Sequence, residues 1–155
     1  MPVKKLKDFL DQNDVKYLNI THSPAYTAQQ IAATAHVPGK EMAKTVMVKI
    51  NDNMAMAVLP ASYKVDFGLL KEVVGTSNVK LATEQEFKDC FPDCEIGAMP
   101  PFGNLWNMEV YLAESLLDDK EIVFNAGSHT ELIRLSMKDY ARLVKPKVMK
   151  FSAKA

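Results

Sequence analysis

The chain has 155 residues, of which 48% are hydrophobic and 25% are charged. This length and mixture predict a single folded domain over residues 1–155 and exclude a disordered chain or a collagen-like repeat. Nineteen basic and nineteen acidic residues cancel, so only a local patch could attract a polyanion. Two cysteines are too few for a disulfide scaffold, and no apolar run approaches the roughly 20 residues of a membrane-spanning helix. The N-terminus lacks an apolar signal core, so we expect a cytoplasmic protein without a membrane partner.

Local patterns predict alternating helices and strands in the first half of the chain. Apolar residues at helical spacing begin at Val3, and the capping-box pattern of Thr27 and Gln30 predicts a second helix that runs to about His36. Turn-forming residues between two β-compatible runs indicate a hairpin. The predicted elements are a helix near residues 3–10, a strand at 16–21, a turn at 22–26, a helix at 27–36, and hairpin strands at 45–50 and 54–59.

The second half of the chain continues this mixed pattern. Thr83 and Glu86 form another capping-box pattern, and Gly75 and Pro92 are helix-ending residues. Long helices do not alternate regularly with strands, so a doubly wound parallel sheet fits poorly. The predicted elements are helices at 66–74, from 83 to before 92, and at 136–144, and strands at 109–113, 121–125, 131–135 and 148–151.

Several familiar chemistries have no motif here. The chain has no glycine-rich phosphate loop ending in Lys-Ser/Thr, no GxGxxG and no Gly-x-Ser-x-Gly elbow. Cys90 and Cys94 have no second cysteine or histidine pair close by in sequence, and the three histidines show neither HxxxH nor HExxH spacing. We therefore expect no metal, no cofactor and no nucleophile triad.

Lys44 is the first residue that stands out. Strand side chains alternate faces, so Lys44 shares a face with Val46, Val48 and Ile50. If that face is buried, the Lys44 ammonium lies at the mouth of an apolar interior and needs an anionic or hydrogen-bonding partner, such as a ligand phosphate or a sugar hydroxyl. The alternative is an edge lysine whose ammonium reaches water.

Two glycine-containing segments also stand out. In Gly97-Ala-Met-Pro-Pro-Phe-Gly103 the prolines fix φ and remove two amide donors, which leaves the amides of Ala98 and Met99 to face a ligand oxygen. The alternative is a rigid crossover between elements. Asn125-Ala-Gly-Ser-His129 predicts a turn after a strand, in which His129 is either structural or functional.

The C-terminal segment is the fourth feature. Six cations lie there with a single carboxylate, Asp139. A solvated helix face explains this charge, and a nucleic-acid contact is the alternative, because phosphate binding needs only local positive charge. The cations are Lys138, Arg142, Lys145, Lys147, Lys150 and Lys154.

Taken together and in this order, these segments resemble the YbaK/prolyl-tRNA synthetase-associated family of freestanding aminoacyl-tRNA deacylases and synthetase editing domains. Lys44 falls on the characteristic lysine of the family, and Gly97 and Pro101 fall on its GxxxP loop. The resemblance covers most of the chain, from His22 to the C-terminal helix. The matching stretches are 22–27, 43–49, 58–61, 64–66, 97–103 and 125–129.

The resemblance implies a fold, a reaction and a partner. The fold is of α+β type, with a mixed, mainly antiparallel sheet curled toward a barrel and flanked by helices. The reaction is hydrolysis of the ester that joins a wrong, small amino acid to the terminal adenosine of tRNA-Pro or a related tRNA. The partners are the aminoacylated acceptor end of a tRNA and, as an open option, an aminoacyl-tRNA synthetase; DNA is not expected.

The resemblance also implies residue roles. Lys44 holds the terminal adenosine through its phosphate or ribose, and the Gly97–Pro101 loop fixes the aminoacyl group before water attacks. The remaining residues bind substrate: Tyr26, Thr27, Gly97, Ala98, Met99, Pro101, Gly127, Ser128 and His129.

Two other functions stay open. One is a non-catalytic module of the same fold that recognises an aminoacyl-nucleotide or a synthetase. The other is a hydrolase of small aminoacyl esters that needs no tRNA. The zero net charge is unlike that of a dedicated RNA binder, so tRNA contact is expected to be local or assisted by a synthetase.

Overall fold

A computed structural model describes residues 3–21 and 42–154 of the chain. The predicted turn at 22–26, the predicted helix at 27–36, and the candidate site residues Tyr26 and Thr27 lie outside the described residues. The described residues form a mixed α/β fold, and its helices begin and end close to where the sequence places them.

Three of the four described α-helices begin at residues whose side chains cap them, whereas the first begins after Val3, which forms no side-chain cap. Asp66 accepts a hydrogen bond from the Leu69 amide, Thr83 and Glu86 form the reciprocal capping box, and Ser136 accepts from the Asp139 amide. The second helix ends at Gly75, whose φ of 76° is the left-handed conformation that glycine adopts readily. The described α-helices are α1 (Lys4–Gln12), α2 (Phe67–Val74), α3 (Glu84–Phe87) and α4 (Met137–Val144).

Ten strands are described, and they form three sheets. The strands are β1 (Tyr17–Thr21), β2 (Ala43–Ile50), β3 (Asn53–Pro60), β4 (Tyr63–Val65), β5 (Val79–Leu81), β6 (Glu109–Ala113), β7 (Glu121–Asn125), β8 (Glu131–Ser136), β9 (Lys147–Met149) and β10 (Ser152–Lys154). In the five-stranded sheet the order is β5-β2-β3-β6-β9, and the hairpin β2–β3 turns through Asn51 and Asp52, both with positive φ.

Most strand pairs are antiparallel, and two are parallel. β3 pairs with β6 and β6 with β9 in parallel, whereas β1-β8-β7 and β10-β4 form separate antiparallel sheets. A parallel bridge between Met42 and Val123 brings the start of β2 next to β7. The expected mixed, mainly antiparallel fold is confirmed, although the described strands do not close into a barrel.

The large sheet has an apolar core on each face. Met47 and Val58 belong to the core that includes α1, β7, β8 and α4. Val48 and Leu59 belong to the second core, which includes Leu70 of α2 and Phe151. Alternating residues of β2 therefore enter opposite cores, as strand geometry requires.

The chain differs from the sequence prediction mainly in short elements. The strand predicted at 148–151 is observed as β9, which ends at Met149 because Phe151 turns into the second core. β10 begins only after that predicted range, at Ser152, and had no predicted counterpart. The three-residue strands β4 and β5 had no predicted counterpart. Runs this short carry no readable alternation, so their strand conformation depends on the partner strand.

Candidate functional site

Backbone hydrogen bonds join the loop at 95–101 to the turn at 126–129. The Glu95 amide donates to the Gly127 carbonyl at 2.8 Å, and the Gly127 amide donates to the Ala98 carbonyl at 2.9 Å. The sequence singled out these two segments separately, about thirty residues apart. The fold brings them together as one unit.

The His129 side chain adds a third connection between the loop and the turn. Its Nε2 lies 2.8 Å from the Ile96 carbonyl oxygen, so Nε2 carries the hydrogen and donates it. The His129 backbone amide donates to the Glu95 carboxylate at 3.4 Å, and the same carboxylate lies 3.9 Å from Nε2. His129 therefore holds the loop directly, whereas its predicted contact with the amino-acid substrate stays a prediction.

Both glycines of this unit have backbone conformations that other residues resist. Gly97 has φ +85°, and a Cβ there would lie 3.4 Å from Cε1 of His129. Gly127 has φ +101°, and a Cβ there would lie 2.9 Å from Cβ of Val3. Val3 also donates its amide to the Ala126 carbonyl at 2.9 Å. Val3, the residue before α1, thus packs against the turn and hydrogen-bonds to it. The sequence did not indicate this contact.

The amides of the loop are not all available to a ligand. The Ala98 amide was predicted to face a ligand oxygen, but it donates to the Glu95 carbonyl at 3.0 Å, so that prediction is wrong. Among the described residues, the amides of Gly97 and Met99 have no hydrogen-bond acceptor. Met99 is 95% buried, with 5% of its surface exposed. Gly97, in contrast, is exposed.

The far end of the loop is anchored in the core. The Tyr140 hydroxyl donates to the Pro101 carbonyl at 2.7 Å, and burial raises the pKa of this phenol. The Phe102 ring packs edge-on against Tyr140, with ring centroids 5.3 Å apart. The sequence did not indicate this role of Tyr140, since a tyrosine on the apolar face of a helix is ordinarily assigned only to the hydrophobic core.

Lys44 lies near the start of β2 with its side chain on the face of the second core. It is half-buried, pairs across the hairpin with Leu59, and has no hydrogen-bond or ion-pair partner among the described residues. Burial lowers the pKa of the Lys44 ammonium below its ordinary value. β5 pairs with β2 only at residues 48–50, so within the five-stranded sheet Lys44 is paired with β3 alone.

The start of β2 and the end of β7 lie close together. Lys44 is two residues past the Met42–Val123 bridge on one strand, and Asn125 is two residues past it on the other. The side-chain oxygen of Asn125 is buried and has no hydrogen-bond partner among the described residues. Asn125 leads directly into the turn that carries Gly127, Ser128 and His129. Ser128 forms a hydrogen bond with Thr130 across 3.3 Å.

Other classes of site have little support in the described residues. No group of three or more His, Cys, Asp or Glu side chains in ranges 3–21 and 42–154 could hold a metal ion. Cys94 is partly buried, which raises the pKa of its thiol to about 11 and keeps it protonated near neutral pH. No helix within these ranges is long and apolar enough to cross a membrane.

Comparisons with known proteins identify similar chains and folds. A proline–tRNA ligase of Bacillus cereus (strain AH187) is 23% identical over 82 residues, which are 53% of this chain and 14% of the ligase. A proline–tRNA ligase of Bacillus mycoides (strain KBAB4) matches with the same identity and coverage. The chain therefore corresponds to a small part of these curated relatives.

Two solved structures share the fold. One is a hypothetical protein with a TM-score of 0.86 and 21% identity, covering 97% of this chain and 100% of its own. The other is a candidate trans-editing enzyme for prolyl tRNA synthetase with a TM-score of 0.82 and 20% identity, covering 97% of this chain and 96% of its own. The family model of the aminoacyl-tRNA editing domain matches residues 22–143, well over half of the chain. The chain belongs to the aminoacyl-tRNA editing domain family.

Proposed function

We propose that this chain is an aminoacyl-tRNA deacylase that hydrolyses the ester between a small, wrong amino acid and the terminal adenosine of tRNA-Pro or a related tRNA. Family membership supports editing as the general function. The observation that carries the specific reaction is the interlocked loop, whose Gly97 and Met99 amides have no acceptor among the described residues.

The free amides suit the chemistry of ester hydrolysis. When water attacks the ester carbonyl, negative charge develops on the carbonyl oxygen, and fixed backbone amides stabilise that charge. The hydrogen bonds of Glu95, Ala98 and Gly127 already hold the loop, so little reorganisation is needed when substrate binds. The aminoacyl ester is reactive by itself, so positioning and charge stabilisation can suffice without a triad or a metal.

Lys44 is the proposed ligand of the terminal adenosine. Its half-buried ammonium has no carboxylate partner among the described residues, which is unfavourable for the folded protein alone. A phosphate or ribose oxygen would supply the missing partner. In this proposal the Lys44 side chain and the Gly97–Pro101 loop contact one substrate.

The turn is proposed to shape the amino-acid pocket. Gly127 and Ser128 present their backbone beside the loop, and the His129 ring forms the wall next to Gly97. Such a pocket selects mainly by excluding bulk, since one methylene is worth about 1–3 kcal/mol. Tyr26 and Thr27 stay predicted substrate contacts.

The test is a panel of tRNAs charged with cysteine, alanine, serine and threonine, on tRNA-Pro and on the cognate tRNA of each amino acid. We expect the wild-type chain to release at least one of these amino acids well above the uncatalysed rate. Binding of the charged tRNAs without release would instead identify a non-catalytic module. Equal turnover of a simple aminoacyl ester would identify a hydrolase that needs no tRNA.

A further inference from the structure

Asn125, the last residue of β7, has a buried side-chain oxygen that receives no hydrogen bond from the described residues. An asparagine that leads into a turn commonly accepts a hydrogen bond from the backbone amide two residues further on. Here that amide belongs to Gly127, and it donates to the Ala98 carbonyl at 2.9 Å instead. The turn is therefore held without the Asn125 oxygen, and a buried carbonyl without a donor is uncommon in folded proteins.

Asn125 and Lys44 point to the same face of the fold. Met42 and Val123 are partners in a parallel bridge, and the side chains of such partners point to the same side. Side chains alternate along a strand, so Lys44 and Asn125, each two residues past the bridge, point to that side as well. No further pairing between β2 and β7 follows the bridge within the described ranges, and β5 pairs with β2 only at residues 48–50. The two side chains therefore flank the opening between β2 and β7.

Asn125 also lies next to the loop at 95–101. It precedes Gly127 by two residues, and the Gly127 backbone both donates hydrogen bonds to this loop and accepts them from it. Asn125 is therefore placed between Lys44 and the loop. In the proposed function Lys44 binds the terminal adenosine and the loop binds the aminoacyl group. The terminal ribose connects these two parts of the substrate, so a residue between them meets the ribose.

We infer that the Asn125 carboxamide binds the free hydroxyl of the terminal ribose, the neighbour of the hydroxyl that carries the amino acid. The inference deepens the proposed function and rests on it, because it takes Lys44 and the loop as the two ends of the substrate site. The α-ammonium of the substrate is a second hydrogen-bond donor. However, the Lys44 ammonium beside Asn125 has no carboxylate partner among the described residues, and it repels another cation.

The Asn125 amide can turn towards such a hydroxyl. Neither its oxygen nor its nitrogen is held by a hydrogen bond among the described residues, and the nitrogen is not buried. The terminal torsion of asparagine is broad and roughly two-fold, so a half-turn exchanges the two atoms at little cost. A hydroxyl both donates and accepts, so it matches the amide in either orientation, whereas an ammonium matches only the oxygen.

The test measures the binding of two stable probes by isothermal titration calorimetry. Each probe is a CCA trinucleotide that ends in 3′-amino-3′-deoxyadenosine and carries alanine through an amide bond, and one of the two lacks the 2′-hydroxyl. The wild type is compared with Asn125→Leu, which removes both polar atoms at similar size, and with the smaller variant Asn125→Ala. The matched control is Asn53→Leu, which changes an exposed asparagine at the hairpin turn, at the opposite end of β2 from Lys44.

We expect the wild type and Asn53→Leu to bind the probe with the 2′-hydroxyl about tenfold more tightly than the probe without it. Asn125→Leu and Asn125→Ala should bind the two probes equally. Asn125→Leu should also have a urea midpoint no lower than that of the wild type, because an apolar group replaces an oxygen that has no donor.

Two results would overturn the inference directly: a wild type that does not distinguish the probes, and an Asn125→Leu protein that still prefers the hydroxyl. Equal weakening of both probes together with a lower urea midpoint would assign Asn125 to the fold and overturn it as well. A third probe carries propionate in place of alanine and so lacks the ammonium. If this probe erases the difference in affinity between the wild type and Asn125→Leu, the amide binds the ammonium and the inference is wrong.

The binding measurements and the panel of charged tRNAs separate the two proposals. If the wild type releases no amino acid from any charged tRNA, the proposed reaction is wrong whatever the probes show. If release occurs and the preference for the hydroxyl does not depend on Asn125, only the inference about Asn125 is wrong.

Discussion

The Nε2 atom of His129 lies 2.8 Å from the carbonyl oxygen of Ile96. This hydrogen bond joins a turn after β7 to a loop more than thirty residues earlier in the chain. Ile96 immediately precedes Gly97, so this hydrogen bond fixes the start of the segment that carries the Gly97 and Met99 amides. His129 is therefore a positioning residue for the loop in our account.

Replacing His129 tests this positioning role. His129→Phe keeps a ring but loses the donor, and we expect kcat/KM for deacylation to fall about ten- to a hundredfold, mainly in kcat, since the loop loses its fixed geometry. His129→Gln can place an amide donor near the same point and should recover most of the activity. Equal activity of the two variants would argue against the hydrogen bond, and steady-state kinetics on a charged tRNA decides.

Glycine at position 127 is required by both its backbone and its surroundings. Gly127→Ala must place a Cβ 2.9 Å from Val3 at a φ of +101°, whereas Gly75→Ala meets no atom within 4 Å at a similar positive φ. We expect losses of unfolding free energy of about 2–3 kcal/mol for Gly127→Ala and about 1 kcal/mol for Gly75→Ala. Urea unfolding measures both, and equal losses would show that the Val3 contact is unimportant.

Tyr140 is expected to stabilise both the core and the loop. Tyr140→Phe leaves the Pro101 carbonyl without its donor and should cost about 1–3 kcal/mol of unfolding free energy. The control is Tyr17→Phe, which removes a hydroxyl 3.1 Å from Asp11 at an exposed position and should cost less than about 0.5 kcal/mol. Urea unfolding again measures both, and a Tyr140→Phe protein as stable as the control would contradict this assignment.

The pH dependence of stability should include a contribution from Glu86. Its hydrogen bond with Lys49, at 2.7 Å, and its bond from the Thr83 amide lower its pKa from 4.5 to about 2. A carboxyl whose pKa is lower in the folded state stabilises the fold above its unfolded pKa, and this contribution is lost as pH falls from about 4.5 towards about 2.

Glu86→Gln isolates that contribution, because glutamine can keep the capping-box geometry without the charge. We expect the variant to have a lower urea midpoint than the wild type at pH 7, with the difference shrinking through the acidic window. A difference that does not change with pH would assign the effect to packing or capping instead of charge.

Local signals in the sequence predicted most of the fold. The caps at Asp66, Thr83 and Ser136 and the hairpin turn at Asn51 and Asp52 are formed by residues close together in the chain, so short windows reveal them. β5 is three residues long and pairs with β2 about thirty positions earlier. Such pairing depends on tertiary contacts that no window contains.

The sequence indicated which segments form the candidate site, but not the contacts that join them. Glycines at 97 and 127 indicated unusual backbone, and both have positive φ. The sequence could not indicate that the Ala98 amide is used by Glu95, that Val3 packs behind Gly127, or that Tyr140 holds Pro101. The contacts of Val3 and Tyr140 join residues that are far apart in sequence and meet only in the folded chain. The Ala98 bond is local, but it depends on a tight turn that the sequence pattern does not specify.

The most direct test of the central claim is the initial rate of amino-acid release from a mischarged tRNA by the wild type, Lys44→Ala and Lys80→Ala. Lys80 lies in β5 and pairs with Lys49, near the end of β2 opposite to Lys44, and its side chain is exposed. We predict that Lys44→Ala lowers the rate by about a hundredfold or more while folding normally, and that Lys80→Ala matches the wild type. Release by Lys44→Ala at the wild-type rate would contradict the account.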